Sequence, residues 1–73
     1  MFNMNDYLKM VDDTMAEHTE LRYGQTLFNV LCDIAPELAK EIRATKVDPF
    51  YANEDDAIND FFAYLYSKGV TNE

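Results

Sequence analysis

Cysteine and histidine each occur once in this chain, as Cys32 and His18. A lone cysteine rules out a disulfide within the chain. Neither residue has the ligand-spaced companions that a zinc or other metal centre needs, so no metal and no cofactor is expected. Basic residues are also scarce, six Lys and Arg against fourteen Asp and Glu, a net charge of −8. Such a balance repels nucleic acid and anionic membranes and attracts basic protein surfaces. No apolar run approaches the roughly 18 residues of a membrane span. The opening "MFNMNDYLKM" carries Asp6 and lacks a basic region before an apolar core, so no signal peptide is expected and a cytoplasmic location is.

What is present argues for a folded object. Hydrophobic residues make up 48% of the chain and aromatics 14%, too many for a disordered acidic tail. Seventy-three residues allow one domain with a core that is only just sufficient. Ordering costs about 1.5 kcal/mol per residue and nearly cancels apolar burial. With disulfides and metal set aside, stability must come from regular helix packing or from a homodimer.

The apolar residues recur at helical pitch. Met4, Tyr7, Leu8, Val11 and Met15 form one stripe, begun by Asn3 with Asp6 three residues later as a capping pair. His18 falls in register with that stripe and is expected to pack at its end. In "LRYGQTLFNVL", Tyr23, Leu27, Val30, Leu31 and Ile34 share a face widened by Phe28, while Arg22, Gln25, Thr26, Asn29 and Asp33 lie opposite. Gly24 falls on the apolar side. It either admits a neighbouring backbone or ends the first helix in a left-handed conformation; close packing is the favoured expectation. Pro36 ends the second helix near Asp33 and starts a short one to about Ala44, with Leu38, Ala39 and Ile42 inward. Asp48-Pro49 marks a turn that tucks Phe50 and Tyr51 under the core. Asn53 is expected to cap a last helix with Glu54, Asp55 and Asp56 in its first turn and Ile58, Phe61, Phe62 and Leu65 inward; Lys68-Gly69 stops it. No segment alternates with period two. The reading is all-α: a small single-domain bundle of three longer helices and one short helix.

The pattern Arg22-x-Gly24-Gln25, Asn29-x-Leu31, Pro36-Glu37-Leu38, Ile42 and Asp48-Pro49-Phe50-Tyr51 resembles a group of short uncharacterised proteins of bacteriophage and bacterial genomes. The likeness covers about residues 21 to 65. It implies a phage-type accessory protein, and it transfers no catalytic residue.

Candidate partner-binding residues are Arg22, Gln25, Asn29, Tyr51, Tyr64, Asp55 and Asp56. The first three, at i, i+3 and i+7, form a hydrogen-bonding strip suited to a partner's backbone or carboxylates. The same strip could instead tether the Asp48-Pro49-Phe50-Tyr51 loop, with Arg22 pairing Asp48. Tyr64 lies off the inner axis of the last helix, and exposed tyrosines suit binding faces. Asp12 and Asp13 diverge by 100° on their helix, and residues 54–56 follow a cap, so neither acidic group reads as catalytic. The expected function is therefore a non-enzymatic protein-interaction module that modulates or inhibits a host protein. One alternative is an acidic mimic of DNA phosphates, although Lys40, Arg43 and Lys46 break its field. A small metal-dependent or hydrolytic enzyme is the other, and it requires His18 or Cys32 in a cleft beside carboxylates.

Overall fold

Asn3 begins the fold. Its backbone is extended (φ −93°, ψ 132°), and its side-chain oxygen accepts from the amides of Asn5 and Asp6 at 2.7 and 3.3 Å. Two otherwise orphaned donors of the first turn are thereby satisfied. The computed structural model describes residues 2–50 and 55–72, the side chain of Asp55 apart. It contains four helices: α1 (Met4–Glu17), α2 (Tyr23–Ile34), α3 (Pro36–Ile42) and α4 (Asp55–Ser67). The all-α bundle with one short helix is thus the observed architecture. None of the described helices is long and apolar enough to cross a membrane.

α1 buries Met4, Tyr7 and Val11 and leaves Leu8 and Met15 half-buried. It stops at Glu17, where the amide of His18 bonds the carbonyl of Thr14 at 2.9 Å. His18 does not extend the apolar stripe. It is exposed beyond the helix, with Nδ1 3.4 Å from Glu20 Oε1. The 100° rule places a side chain only while the helix continues, and here it has ended.

α2 packs against both α1 and α3. Arg22 precedes it in extended conformation, and the side-chain oxygen of Gln25 accepts from the Arg22 amide at 3.0 Å. This is half of a capping box; a guanidinium has no acceptor to supply the other half. Gly24 is buried in the first turn. The left-handed glycine of the described chain is Gly69 (φ 100°), so Gly24 belongs to α2 and does not end α1. Two residues depart from the expected faces. Tyr23, the first helical residue, is 39% exposed. Thr26 is fully buried, because its hydroxyl bonds back to the Arg22 carbonyl at 3.0 Å and carries no unmet polarity inward.

Pro36 occupies the first position of α3, where no intrahelical N–H is missed. α3 buries Leu38, Ala39 and Ile42 but ends two residues before Ala44. Arg43 is already non-helical (φ −50°, ψ 127°) and Ala44 is left-handed (φ 62°). The Ile42 carbonyl is taken by the amide and hydroxyl of Thr45, at 2.9 and 2.6 Å, which turns the chain away.

α4 contributes Phe61 and Leu65 to the core, with Ile58 and Phe62 beside it. Its expected cap, Asn53, lies outside the described residues, as does Glu54. Its end is a Schellman motif. Val70 N–H reaches the Leu65 carbonyl at 3.2 Å and Gly69 N–H the Tyr66 carbonyl at 3.1 Å. Val70 and Leu65 are both buried, as that motif's apolar contact requires. Past this turn the chain meets its own beginning. Met4 N–H donates to Thr71 O at 2.8 Å and Thr71 N–H to Phe2 O at 3.3 Å, a single parallel bridge between Asn3 and Thr71. No sequence periodicity announced it.

Candidate functional site

The loop after α3 builds one wall of the site. Asp48 Oδ2 accepts from Ala44 N–H at 2.7 Å, and Oδ1 from Phe50 N–H at 2.9 Å. One carboxylate therefore closes the loop on both sides, as Asx turns do. Asp48 thus ties the loop to its own backbone on either side. Pro49 is fully buried beneath it. Phe50 stands edge-on to Phe28 of α2, with centroids 6.0 Å apart at 88°. The guanidinium carbon of Arg43 also lies 6.0 Å from the Phe28 centroid. Phe28 thus meets a near-perpendicular ring and a cation, both contacts that aromatic quadrupoles favour.

Between α2, α3 and this loop runs a groove of two lobes. Phe28, Cys32 and Arg43 line both. Asn29, Ala44, Asp48 and Phe50 complete the first lobe, of about 280 Å³. Pro36, Ala39 and Lys40 complete the second, of about 270 Å³. The floor is aromatic and aliphatic, and the rim holds an amide, a carboxylate and two cations. Ala44 is a rim residue in left-handed geometry that favours glycine, a strained position beside a concave surface.

The residues expected to bind a partner are not gathered together. Asn29 is exposed and lines the groove. Gln25 is half-buried and its side chain serves the start of α2, while Arg22 is exposed at that same end. Tyr64 is half-buried in α4, its ring centroid 5.5 Å from the Lys68 ammonium, which also meets Glu41 of α3 at 3.0 Å. The hydrogen bond and charge of Glu41 hold the Lys68 pKa above the usual lysine value. Asp56 is exposed in the first turn of α4. Neither Tyr64 nor Asp56 lines the groove. Tyr51 and the side chain of Asp55 lie outside the described residues.

Sequence reasoning placed Phe28 on the apolar face of α2 and read Lys40 and Arg43 as breaks in a negative field, so it missed the groove. The signal was there: Phe28 and Cys32 are four apart on α2, and Lys40 and Arg43 lie three apart, in the last turn of α3 and just past its end. Cys32 shares the groove with a carboxylate, Asp48, but both Asp48 oxygens are held by amides. His18 sits on the exposed turn after α1, away from the groove lining. Among the described residues no three metal-capable side chains cluster. Comparison of this chain with protein-family models, with curated proteins and with solved structures finds no match.

Proposed function

We propose that this chain is a non-enzymatic protein-interaction module whose docking surface is the groove between α2 and α3, and that it modulates a host protein in the host cytoplasm. The observation that carries the reading is the groove's make-up. An aromatic floor of Phe28 and Phe50 is ringed by Asn29, Arg43, Lys40 and Asp48, the pattern of an apolar anchor site within a polar rim. The resemblance to phage-type accessory proteins supports the choice of a host protein as partner. Mimicry of DNA phosphates requires an unbroken negative field, and the cations at this groove interrupt it.

The test places a photoreactive benzoylphenylalanine at Asn29, in the groove, or at Lys9, exposed on α1. Both proteins are irradiated in host lysate. Equimolar crosslinking of one protein from position 29, and none from position 9, is the expected result. Equal capture from both positions, or capture that duplex DNA competes away, would overturn the reading.

A further inference from the structure

Lys40 and Arg43 stand at the groove without an ion pair among the described residues, where the pairs present are Glu41 with Lys68 and His18 with Glu20. In a chain with fourteen acids and six Lys and Arg, a cation has anionic partners in excess. These two nevertheless face a concave surface. The acid in the groove lining, Asp48, is engaged with the amides of Ala44 and Phe50 and forms no ion pair with either cation, so two positive charges meet one negative charge at the rim. The contact with Phe28 fixes the Arg43 charge at the boundary of the two lobes, which it lines on both sides.

Resting on the interaction reading above, we infer that the occupant of this groove is a protein segment in which a carboxylate stands beside apolar side chains. The carboxylate pairs with the fork of donors on Arg43 and takes a second, weaker attraction from Lys40. Apolar side chains fill the lobes against Phe28 and Phe50. The lobes, about 280 and 270 Å³, share Phe28, Cys32 and Arg43. Two side-chain-sized hollows sharing a wall suit successive residues of a peptide. The net charge of −8 does not forbid an acidic visitor. At physiological ionic strength the Debye length is about 8 Å, well under the molecule's extents of 30 × 25 × 21 Å, so the rim charges decide.

A displayed random heptapeptide library is selected against the wild-type chain and against Arg43→Gln and Arg43→Glu, each checked for helical circular dichroism. Amide chemical shifts of Asn29, Cys32 and Ala44 report where the selected peptides sit. The wild type is expected to enrich Asp or Glu next to Leu, Ile, Phe or Tyr. Arg43→Gln should weaken those peptides about ten- to a hundredfold, and Arg43→Glu should select Lys or Arg instead. Lys40→Gln, which leaves the Phe28 contact alone, should weaken them by a smaller factor. Unchanged affinity in both glutamine variants would overturn the inference. Groove-binding peptides without acidic enrichment overturn it too, while leaving the docking surface standing. No peptide shifting those amides would remove both. Occupation by benzoate in place of any peptide, or concentration-dependent self-association through these residues, would assign the groove to a small acid or a second copy and overturn the protein segment.

Discussion

The hydroxyl of Tyr7 donates to the main-chain carbonyl of Leu27 and joins α1 to the middle of α2. Tyr7 is fully buried, and burial, reinforced by the proximity of Tyr23 and Cys32, pushes its pKa far above the usual tyrosine value. Tyr7→Phe keeps the ring and loses only this bond. It should lower stability in urea denaturation by about 0.5–1.5 kcal/mol. Tyr7→Ala, which also opens a cavity, should cost about 3–5 kcal/mol.

The same burial fixes a pH dependence. The folded phenol stays protonated where the unfolded one ionises, so above a pH of about 10 the unfolded state binds fewer protons and stability falls. The slope from this group approaches −1.4 kcal/mol per pH unit, and below that pH the group contributes no slope. Tyr23, half-exposed and also raised by burial and by Asp12, acts in the same direction. The difference between wild type and Tyr7→Phe isolates Tyr7. Parallel stability curves between pH 9 and 11 would contradict the assignment.

Gly69 offers a test of the α4 terminus. Its φ of 100° suits glycine, and apart from its chain neighbours nothing among the described residues lies within 4 Å of the position a Cβ would take. Gly69→Ala therefore meets no clash and should cost about 1–2 kcal/mol through backbone strain alone. A chemically synthesised chain with D-alanine at Gly69 should instead gain up to about 1 kcal/mol, since D-alanine prefers positive φ and restricts the unfolded chain. Thermal melts decide, at roughly 4–8 °C per kcal/mol for a domain of this size.

The helices were legible because Met4, Tyr7 and Val11, or Leu27, Val30 and Leu31, recur at 3.6 residues, and Pro36, Asn3 and Gly69 punctuate them with one physical meaning each. Errors sat where a helix begins or ends. His18 and Tyr23 were assigned by angles that lose force beyond the last turn and at the first residue. Thr26 looked polar, yet a hydroxyl that bonds its own helix can be buried. The groove and the Asn3–Thr71 bridge were illegible for another reason. One is assembled from positions 28 to 50 on three segments and the other joins opposite ends of the chain. Neither leaves a local period.

Asp48 and Ala44 connect stability to the proposed docking. Asp48→Ala strips acceptors from the amides of Ala44 and Phe50 and should cost about 1–3 kcal/mol. Asp48→Asn keeps one acceptor and should cost less. Ala44→Gly relieves a left-handed alanine, about 1–2 kcal/mol, but loosens the unfolded chain by about 0.5–1 kcal/mol, for a net gain of at most about 1.5 kcal/mol. If the loop is a rigid groove wall, Asp48→Ala weakens every groove-binding peptide and Ala44→Gly spares them. Asn29→Ala, at an exposed position with no side-chain hydrogen bond among the described residues, should leave stability within about 0.5 kcal/mol while weakening the peptides. Loss of stability without loss of affinity in Asp48→Ala would mean that the wall shapes the core and not the docking surface.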